Sequence, residues 1–308
     1  MKYFRVNIWN AIWHLSFVGY SFATVGVFST AIELTEFFWK DAKWIDEVRP
    51  YWWVILIFAI LFGIYKNWPK SKIIKQITNT DIKISIIRGD IFASKNPLIV
   101  GVSTTFDTNI EDNTISPSSI QGQYTSKYFS DLPTLKSLIS DQCSTLQNSI
   151  KIDQSEKPYG PRVKFIQGDA IFINNQDRKA YFVPIAHLNF YKSAKLSPEE
   201  FVLALPRMWV NIRERGEFLP IDIPLLGAGH ARLNMNRKEI LVEIISSFVA
   251  ASRENRFIDC LNIYISQSDF SQGEFDFIWI EKMLESKCGL FSNKSILGQS
   301  DNIGKAIS

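Results

Sequence analysis

Gly227, Ala228 and Gly229 stand between an apolar run, LPIDIPLL, and an amphipathic one, so they fall where a strand hands over to a helix. Glycines there let backbone N–H groups approach an anion, and the helix N-terminus adds the positive end of its dipole, which is how phosphates are commonly held. The same spacing also makes an ordinary tight turn. Arg88, Gly89, Asp90 and Ile91 end an earlier β-branched run. A carboxylate at the carboxyl edge of a sheet can accept a hydrogen bond from an exocyclic amine, and Gly89 permits the bend that aims it. Between these lies a second small-residue loop, Ser116, Pro117, Ser118, Ser119, Ile120, Gln121, Gly122 and Gln123, able to wrap a diphosphate with backbone amides. Gly168 and Asp169 look like Gly89 and Asp90, but they lie inside a hairpin and read as structural.

Other chemistries find less support. Cys143, Cys260 and Cys288 form no CxxC and no Cys/His pair, and their odd number fits a reducing compartment without a disulfide framework. Three scattered histidines make a dedicated metal site unexpected. Residues 1 to 75 hold nine bases and five acids, leaving 25 bases and 26 acids for the remainder. The remainder is near neutral, so it lacks the basic face that nucleic-acid binding needs.

The elements that must position the loops are legible as alternating patterns. IKISIIRGDIF and NPLIVGVSTTF read as buried strands. Asp131 to Asn148 predicts a helix with Leu132, Leu135, Leu138, Ile139 and Leu146 on one face and Pro133 in its first turn. VKFIQGDAIFI and KAYFVPIAHLNF, separated by Asn174 to Asp177, predict an antiparallel hairpin. Ser197 and Glu200 form a capping-box pattern opening a helix to about Gly216, with a kink at Pro206. A strand at LPIDIPLL, a helix over Arg237 to Glu254, a strand at LNIYIS and a helix near Phe275 to Ser286 complete the series. A mixed α/β sheet between helices is expected.

Ahead of this domain stand two apolar runs, Ile12 to Ile32 and Tyr51 to Tyr65. The first has 21 residues without Lys, Arg, Asp or Glu, enough as a helix to match a hydrocarbon core of about 30 Å. The second is shorter and more apolar, and snorkelling by Lys66 extends it. Trp9, Trp13, Trp39, Trp44, Trp52, Trp53 and Trp68 crowd the ends, where indoles prefer a membrane interface. A transmembrane helical hairpin is expected over residues 1–75. Lys2 and Arg5 before the first run, and Lys66, Lys70, Lys72 and Lys75 after the second, place both termini in the cytoplasm.

Taken in order, IRGDIF, LIVGV, SPSSIQGQ, GDAIFI and IPLLGAGHARLN resemble the macro domain, an ADP-ribose-binding module, over roughly residues 81–270. The resemblance implies a macro-like mixed sheet sandwiched between helices over residues 76–288; the tail over 289–308, rich in Ser, Asn and Gly, is expected from its composition to be flexible. It implies that Asp90 receives the adenine amino group with Ile91 beside it. Ser118, Ser119, Ile120, Gln121 and Gly122 would form the first diphosphate loop, and Gly227, Ala228, Gly229 and His230 the second. Phe270 would stack on adenine, and Thr104, Thr105, Asn109 and His230 would line the distal pocket. Hydrolytic members follow the second strand with an Asn-rich stretch, where this chain reads Gly101, Val102, Ser103, Thr104 and Thr105. Binding without turnover is therefore expected, with no catalytic residue and no metal.

A two-helix hairpin joined to a macro-like domain is similar to the membrane effector of bacterial type II Thoeris anti-phage systems. That similarity implies an inner-membrane protein sensing an ADP-ribose derivative, a histidine conjugate, made from NAD by a partner TIR-domain enzyme. Homo-oligomerisation and membrane disruption, with cell death or arrest, would follow. The rival reading is a membrane-anchored ADP-ribosyl hydrolase, and a third is a channel or scaffold.

Overall fold

The computed structural model describes residues 15–38, 49–66, 71–215, 217–229, 233–271 and 274–289. The chain divides into two compact units, Met1–Ser71 and Lys72–Ser308.

In the first unit, helix α1 (Leu15–Phe38) and, after a 3-10 turn at Arg49–Tyr51, helix α2 (Trp52–Lys66) lie against each other. Ser21 Oγ donates to the Ala59 carbonyl at 3.4 Å, and Phe28 meets Phe58 edge-on at 5.8 Å. A Cβ on Gly63 would come within 2.6 Å of Ser21 Oγ and 2.8 Å of the Phe17 ring, so glycine sets the closeness of this antiparallel pair. Thr24 and Thr35 hydroxyls donate to the carbonyls four residues back, at 2.8 Å each, which satisfies them without water. Phe17–Thr35 is long and apolar enough to cross a membrane, whereas α2 is a shorter apolar helix of 15 residues. Trp9, Trp13, Trp39, Trp44 and Trp68 lie outside the described residues.

The second unit is built on one mixed sheet. Its strands are β1 (Lys72–Gln76), β2 (Lys83–Arg88), β3 (Leu98–Ser103), β6 (Ile171–Ile173), β7 (Ala180–Leu188), β8 (Ala194–Lys195), β9 (Ile221–Pro224) and β10 (Cys260–Ile265). The order is β1-β2-β10-β9-β3-β7-β6, with β8 paired to β7. The five central strands β2, β10, β9, β3 and β7 are parallel, and β1 and β6 are antiparallel edges. A separate ribbon joins β4 (Ser149–Lys151) to β5 (Val163–Phe165). Alternation along the strands divides the core. Val100 and Phe182 face a cluster with Tyr124, Leu135 and Ile139 of helices α3 (Ile120–Tyr128) and α4 (Leu132–Cys143). Ile99, Tyr181 and Val183 face the other side. There they meet α5 (Pro198–Arg215), α6 (Arg237–Glu254) and α8 (Phe277–Cys288), while the short α7 (Gln267–Ser271) follows β10. Sheet and helices together form the expected sandwich.

Several expectations need correction. Lys72 and Lys75, read from sequence as juxtamembrane bases, belong to edge strand β1, and Lys75 pairs with Glu285 of α8 at 3.0 Å. Only Ile171–Ile173 of the longer run joins the hairpin with β7. Val163–Phe165 pairs with β4 instead, because Gly168 takes φ +90° and breaks the run. Helix α4 ends at Cys143, capped by Asp131 at its start, so Leu146 packs from beyond it. As expected, the capping box at Ser197 and Glu200 forms, at 2.9 and 3.1 Å, and Pro206 lies inside α5.

Candidate functional site

Parallel strands point their carboxyl ends the same way, and a crevice at that edge is where such sheets bind ligands. The sequence-defined loops follow strands that share this edge: Asp90 follows β2, residues 104–122 follow β3, Gly227 follows β9 and Phe270 follows β10.

Asp90 caps a 3-10 turn at Ile91–Ala93, its Oδ1 accepting from Phe92 N at 2.9 Å. Asp90 itself is exposed while Ile91 and Phe92 are buried. A carboxylate offers about four acceptor positions, so capacity remains for an incoming donor. The turn is anchored from below by Arg178, fully buried, whose Nη1 donates to the Ile91 carbonyl at 3.0 Å and Nε to the Asn96 carbonyl at 2.9 Å. Its Nη2 pairs with Asp222 at 2.8 Å, and Asp222 also accepts from Asn96 and Asn262. Tyr264, at the end of β10, is raised above the usual phenol range by burial and by the nearby Asp222 and Asp90 charges.

Ser119 is the N-cap of α3: its Oγ accepts from Gly122 N at 3.0 Å and donates to the Ser116 carbonyl at 2.7 Å. Ser118 is exposed, Ile120 half-buried and Gln121 buried. The loop thus presents the start of a helix behind small residues, the arrangement that suits a phosphate. A Cβ on Gly122 would collide with the Ser116 carbonyl oxygen and lie 2.9 Å from Pro117 Cα. Backbone cannot yield as a flexible side chain does, so Gly122→Ala should cost about 1–3 kcal/mol in a urea melt. An unchanged melting curve would show that the loop is not packed as described.

Beneath this loop lies a network that no sequence motif marks. Asp107, 1% exposed, accepts from Ser103 Oγ at 2.8 Å, from the Thr105 hydroxyl and from Lys157 Nζ at 2.8 Å. Lys157 Nζ also donates to the Tyr159 and Pro161 carbonyls at 2.9 Å, and Gln121 Nε2 donates to the Asp107 carbonyl at 2.6 Å. Thr105 is therefore an internal strut and not a pocket wall. The partners are 50 residues apart, too far for a spacing signal.

Thr104, 2% exposed, is likewise engaged inside: its hydroxyl meets His187 Nδ1 at 3.1 Å, and His187 Nε2 meets Glu200 Oε1 at 2.9 Å. Hydroxyl, imidazole and carboxylate form one chain, an arrangement the sequence reading finds nowhere, since positions 104, 187 and 200 make no motif. Burial pulls the Glu200 carboxyl upward, but the Ser197 N–H and His187 outweigh it and hold it below the ordinary value. The chain ties the end of β3 to β7 and to the first turn of α5. Asn109 is half-buried, its side chain accepting from Glu111 N at 3.1 Å.

Gly227 takes φ +79°, and a Cβ there would sit 3.0 Å from Leu233. Open space surrounds the Cβ position of Gly229, and Ala228 N donates to the Leu225 carbonyl at 3.2 Å. His230 lies outside the described residues. Phe270 stacks on Phe277 at 4.8 Å, with the Arg88 guanidinium 5.7 Å from its ring, so it is a member of an aromatic cluster at the mouth of β2 and β10. Burial pushes the Cys143 thiol up to about 12 and also raises Cys260 and Cys288. Among the described residues no group of three or more His, Cys, Asp or Glu could hold a metal ion.

A parallel-centred sheet with antiparallel edges, carrying an acid and two small-residue loops at its carboxyl edge, defines a domain of the macro type. The chain belongs to the family described as Thoeris protein ThsA, Macro domain, which matches residues 84–266. It is similar to Thoeris protein ThsA of Bacillus amyloliquefaciens (strain Y2), 26% identical over 156 residues, 49% of this chain and 50% of that one. The chain thus spans about half the length of that curated relative. Among solved structures it is similar to the Oceanobacillus iheyensis macrodomain with ADP (TM-score 0.45, 13% identity, 68% of this chain and 97% of that chain). It is also similar to the Trypanosoma brucei macrodomain in complex with ADP-ribose (TM-score 0.41, 11% identity, 64% and 70%).

Proposed function

We propose that this protein is a membrane effector of anti-phage defence whose macro domain senses an ADP-ribose derivative. What supports the reading is that the Asp90–Ile91 turn, the Ser116–Gly122 helix start and the Gly227–Gly229 turn all follow parallel strands of one sheet, on the side of their carboxyl ends. In this reading Asp90 accepts from the adenine amine, the two glycine-bearing loops cradle the diphosphate, and Phe270 flanks the base. Thr104 and Thr105 support the distal pocket from beneath, with Asn109 and His230 nearer its rim. The ligand is a histidine conjugate of ADP-ribose, supplied from NAD by a TIR-domain partner.

Helices α1 and α2 form the membrane part, in the inner membrane with both termini cytoplasmic, and act once ligand-bound copies assemble. Supporting this is the apolar length of α1, the internal satisfaction of its threonines and the glycine-mediated contact with α2. The proposal is tested by expressing the chain with and without a TIR-domain messenger source while following a membrane-impermeant dye. Dye entry only with the messenger is expected; a sealed membrane in messenger-loaded cells would contradict it. The Thr104–His187–Glu200 chain is the one observation favouring a hydrolase, and ADP-ribose released from mono-ADP-ribosylated protein by the wild type but not by His187→Ala would establish that rival.

A further inference from the structure

Helix α5 buries Phe201, Ala204, Leu205, Met208, Trp209 and Ile212 against the sheet, as an amphipathic helix must. Its outer face breaks the rule. Leu203 is 75% exposed, Val202 40% and Val210 39%, and Pro206 between them is exposed as well. Glu199, Leu203, Pro206, Val210 and Arg213 follow one another at steps of four, three, four and three residues, the spacing of a helix-pairing seam. The seam is acidic at one end and basic at the other, with apolar residues between.

We infer that this face of α5 is a self-association surface whose occupant is α5 of a second copy, running antiparallel. The charge pattern selects that occupant. A two-fold axis at Pro206 sets Val202 opposite Val210 of the second copy and Glu199 opposite Arg213 of the second copy, because each pair is equidistant from the axis. A two-fold contact must be complementary to itself, and this sequence is. A parallel arrangement would instead place like charges together. In its own chain Arg213 pairs with Glu254 at 3.6 Å, and that glutamate is 71% exposed, so the arginine is readily redirected. The first turn of the same helix carries Glu200, which holds His187 and through it Thr104 behind β3. The surface therefore sits one hydrogen-bond chain away from the proposed ligand site. Only this coupling rests on the proposed function; the pairing itself stands on the seam.

The test uses the full chain in lipid nanodiscs or detergent, with association followed by sedimentation at a series of concentrations, with and without ADP-ribose. Leu203→Glu should weaken association by about tenfold or more. Glu199→Arg and Arg213→Glu should each weaken it, by about fivefold, since like charges then meet. The double reversal should restore it to near the wild-type value. Thermal melts that stay put show that each variant is folded. A chain monomeric in both conditions, indifference to Leu203→Glu, or a double reversal as weak as the single ones overturns the proposal; the last is what a lipid surface or a different protein on this face would give. ADP-ribose titrated into the same samples reports the ligand site separately, so failure there leaves the pairing result readable.

Discussion

Exchanging Lys157 for methionine is expected to destabilise the domain by roughly 3–5 kcal/mol, the usual cost of breaking a buried ion pair from one side. The ammonium and its partner Asp107 are 2% and 1% exposed, so neither charge can turn to water. All three of its N–H groups have acceptors: the Asp107 carboxylate and the Tyr159 and Pro161 carbonyls. Methionine matches the length of the stem but leaves the Asp107 charge buried with only the Ser103 and Thr105 hydroxyls facing it. Gln121, which opens α3, hangs on the Asp107 carbonyl, so the Ser116–Gly122 loop should loosen with the pair. Urea unfolding measures the loss, and Lys157→Met combined with Asp107→Asn should recover part of it by removing the stranded charge. A single variant as stable as the wild type would show that the pair is not buried in solution.

The contrast between this network and the loops above it shows what a sequence can disclose. The strands β2, β3, β9 and β10 were legible because fully buried parallel strands are continuous apolar runs. The loops after them were legible because glycine, serine and aspartate at a strand-to-helix turn have few other reasons to cluster. Helix α6 was legible from Arg237 to Glu254 because its apolar stripe is regular, and the structure adds a capping box of Asn236 and Glu239. Short edge pairings were not. β1 offers only Ile73 and Ile74 between lysines, which reads equally as the flank of a membrane span. Thr104 and Thr105 read from sequence as lining a distal pocket, whereas their burial depends on His187, Glu200 and Asp107, partners chosen by the tertiary fold. The Arg178–Asp222 pair, 44 residues apart, is hidden for the same reason, although it holds the turn beside Asp90.

Asp90→Ala is the second change with a large expected effect, and it acts on binding more than on stability. The carboxylate caps Phe92 N, so alanine costs about 0.5–2 kcal/mol of folding free energy through the lost cap. A hydrogen bond from a ligand amine to a charged acceptor contributes about 1.5–3 kcal/mol, so ADP-ribose affinity should fall by about 10- to 150-fold. The Asp90→Asn exchange keeps an acceptor for the cap while losing the charge, which separates the two effects. Its stability should stay close to that of the wild type, with an intermediate affinity.

Calorimetric titration of ADP-ribose into the full chain tests the carboxyl-edge site most directly. Saturable binding of one ligand per chain is expected for the wild type, and binding by folded Asp90→Ala weaker by at least about tenfold. Absence of binding to the wild type, or equal affinity in the two proteins, would contradict it.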